Sequence, residues 1–595
     1  MRLQFFRAVV VGLASLALVA CGGGGGGHKA PPTAASITIV SGNNQTGVAG
    51  SALPAALGVS VKDKSGRAVV GATVSWAVVA GGGSVTPVTS TTDSEGLART
   101  QWTLGTTAGA NRATGAVAGI AAVTFEANAT AGAIASVTVS SPTLRPYEGD
   151  AVQLTAVAKD TYGNVLPGKA ATWRSSDAGI APVSADGVVQ TWGTGPVEVT
   201  ASVDGVEGSV SLTLTPLLVD VKVGKKEVVL AWATDRCPDQ ETPDAPETPD
   251  GPARFVRAQD GSLVLFDGRS YLDRGADFDS LKRDCSQPAF VGAYLPTPAS
   301  YQNNEMLWSV YREGDRWHAL VHNEFHDAIA ATCQPGNPYP GNPCWYNSVT
   351  YAVSTDGARS FSRPGAPAHT VAPAPYAWVP PPPGVPADGF VEGYFQPSNI
   401  VQGKDGYYYA FAMAIPFENW NQMQGLCVFR TRTLGDPASW RAWDGNGFNL
   451  RMTSPYVTGE TAPVCAFLGG FVIPSHLVYD TYLERYLAVA LSPGHLDVNG
   501  RPTCGIFYAL SADLVHWSGP RLLVEASMPW CPADPSSPGL LEPVNVAYPS
   551  IVDHADTTIN FEKAGRTPYL YYVRLNGDNL DRDVMRVPLM LTRTN

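Results

Sequence analysis

The sequence predicts an all-β chain, two β-sandwiches followed by a five-bladed β-propeller. Three observations predict it. Past Ala20, no long run carries the apolar period of a helix. Glycine and proline are abundant, at 61 and 48 residues, as expected of many short strands joined by tight turns. Two internal repeats divide the chain, one recurring from Lys62 to Lys159 and one from Pro397 to Pro474 to Pro549.

Residues 1–21 read as an export signal. Arg2 and Arg7 form a positive start, and Ala8 to Ala20 is an apolar run of signal-peptide length. The run ends in Leu18-Val19-Ala20-Cys21, which resembles a bacterial lipobox. The resemblance implies cleavage before Cys21 and lipid on its sulfur and new amino group, enough acyl chains for stable anchoring. Residues 22–34 open with six glycines and form a flexible linker. Gly22 after the cysteine is similar to the outer-membrane sorting pattern of Gram-negative hosts. The expected location is therefore the bacterial cell surface, with membrane contact through the lipid alone. A net charge of −12 argues against a nucleic-acid partner, which needs a basic face. Nothing in the sequence calls for a second copy, and a monomer is expected.

In the first repeat, Lys62-Asp63 with Gly66 and Trp76 recurs as Lys159-Asp160 with Gly163 and Trp173. Short alternating strands surround each copy, with the Trp as candidate inter-sheet core. Residues 35–131 and 132–216 resemble bacterial Ig-like domains, the former of the invasin/intimin type. The expectation is two Ig-like β-sandwiches serving as spacers.

In the second repeat, Pro397-Ser398-Asn399-Ile400-Val401 recurs as Pro474-Ser475-His476-Leu477-Val478 and as Pro549-Ser550-Ile551-Val552. Each copy is followed by a turn and a second apolar strand. Cys427 follows Pro397 at the same offset as Cys504 follows Pro474, and Trp440 and Trp517 share a second offset from the same prolines. Four strands per repeat make one blade, and residues 217–595 hold about five. Apart from Cys21 there are eight cysteines, all in this region. An even number in an exported chain reads as disulfides, and sequential neighbours are the expected pairs.

The acids are screened by where a propeller binds, at the axial mouth where innermost strands begin. Glu392 and Glu542 lie just before Pro397 and Pro549 and so enter inner strands. The cluster His322-Asn323-Glu324-Phe325-His326-Asp327 ends a strand and opens a long loop containing Cys333 and Cys344. Alternation places His322, Glu324 and His326 on one face. Glu324 between two imidazoles is a candidate acid or base. Sugar binding asks for aromatic platforms and planar polar groups. The candidates are Asn323, Trp345, Tyr346, Asn347, Tyr394, Gln396, Ser398, Asn399, Ser475 and His476.

Ser354-Thr355-Asp356-Gly357-Ala358-Arg359-Ser360-Phe361 resembles the Asp-box of sialidases. Ser511-Ala512-Asp513-Leu514-Val515-His516-Trp517 is similar to an outer turn of five-bladed glycosidases. Residues 217–595 as a whole resemble that superfold of arabinanases, β-xylosidases and invertases. The resemblance implies hydrolysis of a glycosidic bond by a carboxyl pair, in some members with calcium (Ca2+) at the centre. The invertase nucleophile motif and the arabinanase catalytic triad of acids have no match here. The leading expectation is a surface glycoside hydrolase with Glu324 as acid or base and Glu392 or Glu542 as partner. The alternatives are a non-catalytic glycan-binding adhesin, and a polysaccharide lyase using His322 and His326. The absence of a GxSxG elbow argues against a Ser-His-Asp hydrolase.

Overall fold

The computed structural model describes residues 32–237, 248–327, 333, 344–380, 391–415, 417–418, 421–422, 424–468, 474–496, 502–577 and 581–594. Cys21, most of the glycine linker and most of the loop between Cys333 and Cys344 lie outside them. The chain is nearly all β, with 49% strand and 3% helix. No described helix is long and apolar enough to cross a membrane.

The first sandwich follows from strict alternation. Val123–Thr130, for example, buries Phe125, Ala127 and Ala129 and exposes the residues between them. One sheet has the order Ser36–Ser41, Leu57–Lys62, Leu97–Leu104, Gly83–Thr86. The other runs Gln45–Val48, Val123–Thr130, Gly109–Ala116, Thr73–Ala80, Thr89–Thr91. Trp76 packs on Phe125 between the sheets, and its Nε1 donates to Ser90 Oγ at 2.9 Å. Trp102 is the more deeply buried, at 0% exposure. Trp102→Ala is expected to cost this sandwich about 3–5 kcal/mol, read from denaturant unfolding.

The repeated Lys-Asp pairs are turn devices. Asp63 Oδ1 accepts from the backbone N–H of Ser65 and Arg67, and Asp160 Oδ1 from those of Tyr162 and Asn164. Gly66 and Gly163 supply the left-handed φ of each turn, +80° and +84°.

Residues 132–216, the second copy of the first repeat, are divided between two compact units. Residues 156–171 and 202–208 belong with the first sandwich, while 139–155, 172–201 and 209 onward form a second unit. Within that second unit, Asp150 pairs with Arg485 at 2.6 Å, Glu148 pairs with Arg521 at 2.9 Å, and Trp192 stacks on His516. The segments of this unit before residue 217 have a core of their own, Val152, Leu154, Val189, Val197, Val199, Leu212 and Leu214, against which Trp173 is only half-buried.

Beyond residue 217, five antiparallel sheets follow in succession. Their first strands are Arg254–Arg257, Glu305–Glu313, the broken pair Val391–Phe395 and Val401–Gln402, Pro474–Asp480, and Val546–Val552. The fifth sheet has three strands from its own stretch, ending in Arg582–Thr594. It is completed by Leu218–Val223 and Glu227–Leu230, which pair with that last strand.

Each sheet is apolar on both faces, so each must be covered on both. Separate apolar cores link the first and second, second and third, third and fourth, fourth and fifth, and fifth and first sheets. The sheets therefore close into a ring. The second and third are also continuous through Trp345–Asn347, which pairs in parallel with Val391–Gly393.

The two quoted turns act as expected of their sequence. Asp356 Oδ1 accepts from the N–H groups of Arg359 and Ser360, and Asp513 Oδ1 from those of Val515 and His516. Phe361 packs edge-on to Phe266 of the first sheet, and Trp517 edge-on to Phe411 of the third. The four disulfides join sequential neighbours: Cys237–Cys285, Cys333–Cys344, Cys427–Cys465 and Cys504–Cys531.

Candidate functional site

The strand Arg316–His326 carries His322, Glu324 and His326 on one face, and the structure brings the three together. His322 Nδ1 lies 3.4 Å from Glu324 Oε1, and His326 Nε2 lies 3.5 Å from Glu324 Oε2. Asn304 Nδ2 donates to Oε2 at 2.8 Å. Burial pulls the Glu324 pKa upward, but the bond from His326, the two imidazoles and Asn304 outweigh it, and the net shift is downward. His322 is held neutral, chiefly by its own burial, which exceeds the pull of Glu324 and Asp250. Its ring packs on Trp308 and Phe395, and the His326 ring packs edge-on to Trp345.

Trp345 and Phe395 open onto a cavity of about 510 Å3 at the convergence of the sheets. Trp345, Phe395, Trp530 and Tyr548 give its aromatic walls; Met413, Ile415, Leu491 and Leu575 its aliphatic ones. Its polar groups are Gln396, Gln424, Ser475 and Arg582. Trp530 is 57% exposed and sits beside the Cys504–Cys531 disulfide. Gln396 and Tyr548 hold equivalent places in the repeat, each just before a proline. Both adopt left-handed φ, +44° and +53°, where a following proline favours extended backbone. Such strain persists only where the surroundings enforce it, and it concentrates at functional sites.

Behind the wall, Tyr548 donates to Asp250 Oδ1 at 2.8 Å, and Arg582 pairs with the same oxygen. Asp250, Arg582, Tyr548, Trp308 and Trp530 are site residues that sequence reasoning missed. Asp250 ends a Pro- and acid-rich stretch that looks like a linker. Tyr548 carried a usable signal, its place immediately before the repeated proline.

The other candidate acids are not brought to Glu324. Glu392 pairs in register with Tyr346, and Glu324 with Asn347, so the two carboxylates occupy opposite faces of the sheet. Glu392 lies near the phenols of Tyr346 and Tyr456, 2% exposed. Its Oε2 has no hydrogen-bond partner among the described residues, and burial pushes its pKa up to about 8. Glu542 accepts from Tyr572 at 2.6 Å and pairs with Lys226 at 3.4 Å, beside the core between the fourth and fifth sheets. Asp327 accepts from Trp378 Nε1 and anchors the loop base.

Of the candidate sugar-binding residues, Trp345, Gln396 and Ser475 line the cavity. The rest are interior. Asn323 bonds Asn303 and Ser348, Tyr346 donates to the Tyr376 carbonyl, and Asn347 is 0% exposed. Tyr394 packs on Phe429; Ser398 accepts from the Phe411 N–H; Asn399 bonds both backbone groups of Leu477. His476 is buried, and burial holds it neutral.

Calcium takes six to eight oxygen ligands including carboxylates. The converging strands instead present the guanidinium of Arg254 and the imidazole of His476, both buried. Among the described residues, no three His, Cys, Asp or Glu side chains group to hold a metal. These residues do not fit a calcium ion.

No protein-family profile and no curated protein matches the chain. Among solved structures, the Escherichia coli adhesin FdeC aligns at 16% identity over 50% of this chain and 94% of its own, with a TM-score of 0.25. A Dyadobacter fermentans protein of unknown function aligns at 11% identity over 62% and 99%, with a TM-score of 0.35. An endo-arabinase from Bacteroides thetaiotaomicron aligns at 10% identity over 62% and 98%, with a TM-score of 0.30. The structural likenesses thus include both adhesins and carbohydrate-active enzymes.

Proposed function

We propose that this chain is a lipid-anchored, carbohydrate-active protein of the bacterial cell surface, with the ring of five sheets as a five-bladed propeller. The cavity takes an oligosaccharide, and the chain is a glycoside hydrolase. One observation carries the reading: an aromatic-walled cavity with planar polar groups stands beside an ionised Glu324 gripped by two imidazoles. Sugar rings present C–H faces to aromatic rings and hydroxyls to groups such as Gln396, Gln424 and Arg582. Glu324, deprotonated at neutral pH, accepts the proton of an attacking water or attacks as nucleophile. The departing oxygen needs a proton as its bond breaks. Asp250, held by Tyr548 and Arg582, is the second carboxyl, which in its protonated form gives that proton in place of Glu392 and Glu542. The Ig-like sandwiches act as spacers from the membrane.

A second reading, glycan binding without cleavage, is favoured by a specific feature: among the described residues, no side chain that lines the cavity is a carboxylate.

The purified, oxidised full chain is to be screened on plant, algal and bacterial glycans, with reducing-end release followed beside ultraviolet absorbance of unsaturated products. New reducing ends without absorbance are expected. Absorbance rising with cleavage would instead make it a lyase, and binding alone would make it an adhesin. Trp345→Ala and Trp530→Ala are each expected to weaken glycan affinity about tenfold, through roughly 1.5 kcal/mol of lost stacking. No binding to any glycan would sink both readings. Incorporation of labelled palmitate, lost in Cys21→Ser, tests the anchor.

A further inference from the structure

The centre of the ring carries a positive charge with no carboxylate paired to it among the described residues. Arg254 opens the first strand of the first sheet, and the residue is 2% exposed. Its Nε donates to the Trp308 carbonyl at 3.4 Å, and its Nη2 donates to the Ser475 carbonyl. Those carbonyls belong to the first strands of the second and fourth sheets, so the guanidinium lies where the strands converge. Its Nη1 is buried and has no hydrogen-bond partner among the described residues. The contrast is Arg269, equally buried but clamped by Asp267 and Asp273.

Two more buried atoms on the same strands are also without hydrogen-bond partners among the described residues: Ser309 Oγ, adjacent to Trp308, and His476 Nδ1, adjacent to Ser475. Burial lowers Arg254 only to about 9, so the guanidinium stays charged at neutral pH. His476 is neutral, from burial first and the charge of Arg254 second, and offers no compensation.

An isolated charge taken out of water costs several kcal/mol unless an opposite charge accompanies it. Two carbonyl dipoles satisfy only part of a guanidinium with five N–H donors. Buried water could meet the free N–H groups, but only an anion would also offset the charge. It must also be small, because Arg254 Nη1, Ser309 Oγ and His476 Nδ1 are all buried. A spherical ion accepts from N–H and O–H donors in any direction, which suits an arginine, a serine and an imidazole from three strands.

We propose that Arg254, with Ser309 and His476, binds a small monovalent inorganic anion of halide size on the axis of the ring. The anion is a structural counter-ion that ties the first, second and fourth sheets together. It is independent of what fills the cavity above it, so the glycan reading can fail without it, and the reverse.

The test uses the full chain in sodium chloride, sodium bromide and sodium gluconate at matched ionic strength. The melting midpoint is expected to be higher in either halide than in gluconate by about 2 °C or more, saturating with concentration. Arg254→Met is expected to lose that difference. Bromide-equilibrated crystals of the wild-type chain are expected to show an anomalous peak beside Arg254 Nη1. That peak decides the matter alone if the variant does not fold. Equal midpoints in chloride and gluconate, or no bromide peak at Arg254, would overturn the proposal.

Discussion

Glu324→Gln is expected to lower glycan cleavage by about 10²–10⁴-fold, the usual range for one positioned acid–base group. The change keeps the shape of the side chain and a group able to meet Asn304 and the imidazoles, so affinity should stay within a few-fold. It removes the charge that accepts a proton. The pH profile gives an independent check. A pKa held below its ordinary 4.5 keeps the carboxylate ionised through neutrality, so the wild-type rate falls on the acid side only as the pH drops through that lowered value. Full cleavage by the variant would remove Glu324 from the chemistry. Loss of binding together with cleavage would make it a positioning residue for the cavity wall.

Glu392→Gln is expected to act on stability. The pKa of this carboxyl is raised in the folded chain, from 4.5 to about 8, by burial. A raised acid stabilises the fold fully below its unfolded value, and that contribution is lost as the pH climbs through the folded one. Between about pH 5 and pH 9 the wild type should therefore lose on the order of 3–5 kcal/mol through this group, since each tenfold change in proton affinity is worth about 1.4 kcal/mol. The amide does not ionise. The variant should match wild type within about 1 kcal/mol at acid pH and exceed it by several kcal/mol near pH 9. Glu305 and Asp480, each raised to about 7 mainly by burial, give the same sign of dependence. The decisive quantity is thus the difference between variant and wild type in denaturant unfolding at the two pH values. A difference that does not change with pH would show that Glu392 is not the desolvated group described.

The strand framework of the last three sheets was legible because one local pattern, the motif opening at Pro397, Pro474 and Pro549 and followed by a turn and an apolar strand, recurs there. The face shared by His322, Glu324 and His326 was legible for the same reason, since alternation is local. What escaped was non-local. The side of the sheet on which Glu392 falls depends on its parallel pairing with Tyr346, which no period in the sequence announces. Asp250 reaches the site only because Arg582 and Tyr548, from the far end of the chain, come back to meet it. Tyr394 and Asn399 looked like binding residues by type, yet neighbouring sheets take them into the interior. Side-chain chemistry showed which residues were able to bind sugar, and only the closing of the ring decides which of them face the cavity.

Closure by Leu218–Val223 against Arg582–Thr594 also bears on biogenesis. Leu218 is made early and must wait for Thr594 before its hydrogen bonds exist. Pairing over such a sequence separation is slow, and until it occurs the edges of the sheets remain open templates for aggregation. A chain made from its N-terminus therefore has its last sheet unfinished until Arg582–Thr594 is complete. A nascent chain halted before Arg582 would present an unsealed edge rather than a smaller stable domain. Folding yield should accordingly depend on holdase chaperones that cover those edges until the chain is complete.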